Sequence, residues 1–288
     1  MVNVRCVKFR IMKVASLVSC LVLLAFSRAT AEPVQAKHAQ VELLSLQGDA
    51  RPGAELLVGV HFVLEKGWHI YWTNPGDSGQ PPSFQWQLPP GFIAGSIEWP
   101  RPERMQSSSQ LADYGYHDDV LLMVPVRASQ AIDINGLPVL KYSVEAKWLI
   151  CREVCLPDHV HLSSEWGVGT GRKVSPQTSA LFANAQKLLP KPLPANWKAV
   201  AMSRPENFVL LLENARATGQ PQFFPLDPGQ VENASPQTVE STPRGPKITL
   251  KKSDILLKPI SVLRGVVVFG QGDAYQVEAP VIAGERIK

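Results

Sequence analysis

The chain has 288 residues, 45% hydrophobic and 19% charged, with 29 Lys+Arg against 25 Asp+Glu. Residues 1–31 hold five of the basic residues and no acidic one, so beyond them 24 Lys+Arg face 25 Asp+Glu. That near-neutral balance excludes the basic patch that nucleic acid or an anionic membrane surface calls for.

At the N-terminus, Arg5, Lys8, Arg10 and Lys13 precede an apolar run from Val14 to Phe26, and Ala29-Thr30-Ala31 follows. Basic, apolar and small residues in that order describe a secretory signal peptide cleaved after Ala31, and so export from the cytoplasm. About thirteen apolar residues fall short of the roughly 20 that a spanning helix needs, and no later segment is long enough. No membrane span is expected after cleavage. Leu17-Val18-Ser19-Cys20 loosely resembles a lipobox, but cleavage there would fall inside the apolar run. Of the four cysteines, Cys6 and Cys20 leave with the signal. Cys151 and Cys155 remain, in a compartment where disulfides form and persist.

The rest of the chain is rich in β-like runs between Pro and Gly punctuation. Strands are predicted at Val41–Leu46, Leu56–Leu64, Trp68–Thr73, Ser83–Leu88, Ser96–Trp99, Val120–Val126, Val139–Leu149 and Val160–Trp166. Tyr142, Val144, Ala146 and Trp148 alternate with the period of two that a half-buried strand requires. Many short strands joined by turns predict an all-β sandwich. One helix is expected, with Ser175 as N-cap, Pro176 at the first helical position and a stripe of Leu181, Ala185, Leu188 and Leu189. Pro190, Pro192 and Pro194 then read as a linker. Six further runs follow: Trp197–Met202, Phe208–Leu212, Gln222–Pro225, Ile248–Lys251, Val262–Phe269 and Tyr275–Pro280. The polar stretch Val231–Pro246 reads as an exposed loop, and its Asn233-Ala234-Ser235 sequon as chance.

The chemistry lies in Trp148–Pro157. A strand ending at Ile150 and a tight turn stopped by Pro157 would bring Cys151 and Cys155 within disulfide reach. So short a ring contributes only about 2 kcal/mol on the chain-entropy model, which suits easy formation and easy reduction better than stapling. Arg152 would favour a thiolate and Glu153 would oppose it. Three readings stand at this point: redox exchange, a passive disulfide, or a metal site in which His159 and His161 join Cys151 and Cys155 to take Zn(II) or Cu(I). No phosphate-binding glycine loop or haem-attachment motif is present, so no organic cofactor is implied.

The segments Gly67–Pro82 (GWHIYWTNPGDSGQPP), Ile97–Arg104, Tyr114-Gly115-Tyr116 and Ala146–Pro157 together resemble the N-terminal periplasmic domain of DsbD/ScsB-type thiol:disulfide interchange proteins. The resemblance is strong to about Trp166 and weaker beyond. It implies an immunoglobulin-like sandwich for the first domain, and with the residue pattern read above the expected organisation is a signal at 1–31, that sandwich at 32–172, a helix and Pro-rich linker at 173–194, and a second small β domain at 195–288. It also implies that Cys151 and Cys155 exchange electrons with disulfide-bearing periplasmic clients such as disulfide isomerases, cytochrome c maturation factors or copper-resistance proteins. A cap loop covers the pair in that family, which makes His69, Tyr71 and Trp72 the candidates for flanking the sulfurs. Asn74-Pro75-Gly76-Asp77 is a turn by composition. Family members continue into a membrane domain and a thioredoxin-like domain, whereas this chain stops at Lys288 and carries no C-x-x-C. Its electrons would therefore come from a separate membrane or thioredoxin-like donor.

Overall fold

The computed structural model describes residues 33–106, 110–134, 136–270 and 272–284. The expected signal peptide lies outside the described residues. No helix among the described residues is long and apolar enough to cross a membrane.

Strands dominate, as the alternating pattern predicts. In chain order they are β1 (Val34–Ala36), β2 (Ala39–Ser45), β3 (Glu55–Leu64), β4 (His69–Gly76), β5 (Ser83–Gln87) and β6 (Phe92–Ala94). Next come β7 (Glu103–Gln106), β8 (Ala112–His117), β9 (Asp119–Ala128), β10 (Val139–Cys151) and β11 (Cys155–Gly167). One sheet runs β1-β2-β3-β9-β6 and a second runs β11-β10-β4-β8-β7, with β5 also pairing β10. Their inward residues meet in one core, Val41, Val58, Val60 and Val124 from the first sheet against Ile70, Trp72, Val144 and Trp148 from the second. At the base of the sandwich Trp166 is fully buried and stacks on Tyr142, ring centroids 3.9 Å apart.

The helix α1 (Pro176–Lys187) follows, its N-cap Ser175 Oγ accepting from the Thr178 N–H and Pro176 opening the first turn. Phe182 is its fully buried residue, packed with Ala185 of the expected stripe against Leu121 and Met123 of β9, and Leu181 and Leu189 lie partly buried against the same cluster. Leu188 is 40% exposed. The Pro-rich segment beyond is pinned rather than free. The Lys191 N–H donates to the Ala274 carbonyl, and the Gln276 N–H donates to the Lys191 carbonyl.

The second β region comprises β12 (Lys198–Ser203), β13 (Asn207–Glu213), β14 (Pro221–Pro225), β15 (Thr238–Thr242), β16 (Gly245–Lys251), β17 (Val262–Phe269) and β18 (Ala274–Ala283). They form one sheet ordered β14-β17-β18-β12-β13-β16-β15. Residues from both of its arms, Phe223 and Val267 with Phe208, Leu210 and Ile248, share a core, so the sheet folds over on itself. Phe224, Val266, Val268 and Ala274 turn the other way and complete the core of the first region.

Three expectations are corrected. The strand expected at Ser96–Trp99 is replaced by β6 just before it, leaving one bridge from Glu98 to Met123. Val231–Pro246 is not simply an exposed loop, since it holds β15 and buries Val231, Asn233 and Ala234. Pro157 does not stop the cysteine turn but sits inside β11, which is an edge strand and can spare the missing donor.

Candidate functional site

The longest hairpin carries the site at its tip. Strands β10 and β11 pair without interruption from Val139 opposite Gly167 to Cys151 opposite Cys155. The cysteines end the ladder face to face, their Cα atoms 4.2 Å apart, and are joined as a disulfide. Arg152, Glu153 and Val154 close the turn and are all exposed.

The two sulfur-bearing residues differ sharply. Cys151 is 2% exposed, whereas Cys155 lies open on the surface beside Val154, itself 60% exposed. Cys151 is buried because β10 has a second neighbour there: it pairs on its other side with His69 of β4. Burial and position thus make one sulfur reachable and the other shielded.

Strand periodicity decides which flanking candidates reach the pair. His69 and Tyr71 share one face of β4, whereas Ile70 and Trp72 share the other and enter the sandwich core. The Tyr71 hydroxyl donates to Cys151 Sγ at 2.9 Å and lies 3.4 Å from Cys155 Sγ. The His69 ring packs edge-on to Tyr71, centroids 5.2 Å apart, and its buried Nε2 has no hydrogen-bond partner among the described residues. Trp72 does not flank the sulfurs; its ring packs against Phe224 of the second region. Trp68 braces the turn from one side, stacked on His38 at 3.8 Å and lying under the Arg152 guanidinium at 5.3 Å.

Burial raises the Tyr71 pKa, with the Ser78 hydrogen bond opposing and the Asp113 charge adding, so the phenol keeps its proton at neutral pH. Burial, and then the neighbouring His117, lowers the His69 pKa, with Asp113 opposing. The groups beside Cys151 are therefore a neutral donor and an imidazole that favours its neutral form.

The turn expected at Asn74-Pro75-Gly76-Asp77 is not where the chain turns: Asn74, Pro75 and Gly76 belong to β4, which shifts register between Tyr71 and Gly76, and it is the residues just beyond that lie beside the site. Gly79, at φ +77°, lies so close to the Tyr71 ring that a Cβ there would sit 2.1 Å from it. Ser78 Oγ lies 3.5 Å from the Tyr71 hydroxyl and donates to both carboxylate oxygens of Asp113, 3.0 Å away. The Ser78 N–H donates to Asp113 Oδ1 at 2.9 Å. Sequence reasoning missed Ser78, Gly79 and Asp113. The available signal was the alternation in Ala112–His117, which puts Asp113 and His117 on the face opposite Tyr114 and Tyr116.

The four residues of the metal reading are not brought together. His159 and His161 point outward from β11, pairing across the ladder with Lys147 and Glu145. Four residues of extended strand put His159 about 13 Å from Cys155. Among the described residues no three His, Cys, Asp or Glu converge as a metal site.

Comparison with known proteins agrees with this geometry. Residues 35–165 match the family model described as thiol:disulfide interchange protein DsbD, N-terminal. The fold matches the N-terminal periplasmic domain of ScsB from Proteus mirabilis at a TM-score of 0.63 and 18% identity. That match covers 86% of this chain and 95% of the other, so it extends over the second β region. No curated protein sequence matches significantly. Residues 35–165, which include both cysteines, are thus similar to the DsbD N-terminal family, and the likeness supports a thiol–disulfide interchange module there.

Proposed function

We propose that this protein works in the periplasm as a dithiol carrier, taking electrons from a separate membrane or thioredoxin-like donor and passing them to disulfide-bearing clients. The observation that carries the reading is the asymmetry of the pair: an open Cys155 bonded to a buried Cys151 whose sulfur accepts the Tyr71 hydroxyl at 2.9 Å. A thiolate from the donor attacks the sulfur it can reach, that of Cys155, and Cys151 leaves as a thiolate. In the reduced protein the order reverses. The Cys155 thiolate attacks the client disulfide, a mixed disulfide forms, and Cys151 resolves it. The two electrons are carried by the reduced Cys151/Cys155 dithiol and pass to the client's disulfide as the Cys151–Cys155 bond re-forms, and the turn residues Arg152–Val154 with Trp68 meet the partner.

Two measurements test this. The reduction potential of the pair should lie well above about −300 mV; a lower value marks a structural disulfide and ends the carrier reading. Cys151→Ser should accumulate a stable mixed disulfide with a dithiol or client through Cys155, whereas Cys155→Ser should trap none. Equal trapping by both variants would show that access does not choose the attacking sulfur.

A further inference from the structure

A cleft of about 720 Å³ opens between the two β regions, away from the cysteine pair. Trp72 and Trp99 of the first region and Leu226 of the second line it, joined by Leu193 of the Pro-rich segment. Its charged lining is Glu98 and Glu278 alone, with no Lys, Arg or His. Glu98 is half-buried, and its backbone is fixed by the N–H donating to the Met123 carbonyl at 2.8 Å. Its carboxylate has no hydrogen bond or ion pair among the described residues. Burial accordingly raises its pKa, because the charge gives up water without gaining a cation. Glu278 is exposed and pairs across the ladder with Arg264, whose guanidinium is already held by Asp227 through Nε at 3.0 Å and Nη2 at 2.7 Å. A carboxylate taken out of water is normally paired. Glu98 is not, and it lies in an apolar cleft.

We propose that this cleft docks a segment of a partner protein in which one lysine or arginine is flanked by apolar side chains. The cation is set against Glu98, and the apolar flanks cover Trp99 and Leu226, the latter 38% exposed. Charge complementarity selects the sign: two carboxylates with no cation in the lining disfavour an acidic segment and favour a basic one. The apolar walls select the rest. A long basic side chain lays a hydrocarbon stem along apolar surface and keeps its charge at the tip, and an arginine can also stack on the Trp99 indole. The volume falls within the roughly 300–1,000 Å³ of ligand sites, room for several side chains rather than one ion. Trp72 and Tyr71 face opposite sides of β4, so the segment can fill the cleft while Cys155 stays open. The proposal does not depend on the carrier reading.

Two dye-labelled heptapeptides, alike except for a central Leu-Arg-Leu or Leu-Gln-Leu, are titrated into the oxidised protein at neutral pH and followed by fluorescence anisotropy. The arginine peptide should bind about tenfold tighter, the worth of a hydrogen bond between charged groups. Glu98→Gln should weaken the arginine peptide about tenfold and leave the glutamine peptide unchanged. Trp99→Ala should weaken both, and Glu278→Gln should weaken the arginine peptide only about twofold, as expected of an exposed charge. Equal binding of the two peptides, no loss in Glu98→Gln, or no binding of either at about 1 mM overturns the proposal. Arginine amide binding as tightly as the arginine peptide also overturns it, since that would make the cleft a small-cation site. Glu98→Gln should unfold in urea at the wild-type midpoint or above it, because a half-buried unpaired charge is removed. A lower midpoint would mean that Glu98 is already paired within the fold, and the proposal would fall with it.

Discussion

The two β regions are built from the same material and share a core, yet only one carries reactive groups. The first ends its longest hairpin in Cys151–Cys155 and holds all six histidines; the second has neither cysteine nor histidine. What the second contributes is placement. Phe224 packs edge-on to Trp72 and Tyr114, directly behind the strands that carry Tyr71 and Asp113. Asn233 is 7% exposed, accepts from the Tyr114 hydroxyl at 3.0 Å and donates to Asp77 at 2.8 Å. Asp77 in turn accepts from the Ala112 N–H at 2.8 Å and stands next to Ser78. Asn74 adds a further tie, its amide donating to the Pro225 carbonyl at 2.8 Å. The second region is thus tied by packing and hydrogen bonds to the segment that lies beside the cysteine pair.

The sharpest way to break that comparison is Phe224→Ala. The ring is 2% exposed and fills space between the two regions, so its loss should cost about 3–5 kcal/mol in urea unfolding. A single cooperative transition is expected to persist at the lower midpoint. Two separate transitions, or a cost under about 1 kcal/mol, would show that the regions stand independently and that the second is not part of the site's foundation.

Gly79→Ala tests the first region's half of the arrangement. The new Cβ meets the Tyr71 ring at 2.1 Å, and the residue must hold φ +77°. Backbone strain of this kind costs about 1–3 kcal/mol, and the ring must move off Cys151 to relieve the clash. Reduction by dithiothreitol should slow about tenfold with it, the worth of the Tyr71 hydrogen bond to the departing Cys151 sulfur. Unchanged exchange with lowered stability would mean that the turn supports the fold but not the sulfur.

Asn233→Ala carries the comparison back across the interface with a smaller effect. It leaves Asp77 and the Tyr114 hydroxyl each short of a buried partner, which should cost about 1–3 kcal/mol. Exchange should slow by about threefold at most, through looser placement of the segment that carries Asp77 and Ser78. An exchange rate equal to wild type would confine Asn233 to stability.

Much of this was legible in the chain because strand periodicity is a local signal. Tyr142, Val144, Ala146 and Trp148 face inward as the alternation predicts, and the hairpin they begin delivers Cys151 opposite Cys155. The same rule, applied along β4, separates Tyr71 from Trp72, although a resemblance to a flanking segment treats them alike. The polar stretch around Asn233 misled because composition reports solubility, whereas its burial depends on Arg104, which donates to the Asn233 and Ala234 carbonyls from 129 and 130 residues away. Asp113 was hidden for a similar reason. A lone carboxylate before an aromatic pair has no local meaning until the chain brings Ser78 to it from 35 residues upstream.

The smallest effect is electrostatic, and it separates the regions by pH. His69 has its pKa lowered from 6.5 by burial and by His117, so the unfolded chain takes up that proton more readily than the folded one. Its contribution therefore makes stability rise with pH up to about 6.5 and fall away as pH drops below that value. His61 runs in the opposite sense. Burial alone would lower its pKa, but hydrogen bonds to Glu42 and Asp119 raise it, so the stability it adds is lost as pH rises through its folded value. His69→Phe keeps a ring against Tyr71, removes a buried Nε2 that has no partner, and leaves the His61 contribution in place. Urea midpoints compared at about pH 5 and about pH 7.5 should then show a flatter acid-side loss than wild type, with the His61 slope uncovered. An unchanged slope would place the acid sensitivity in carboxylates instead, and those are shared by both regions.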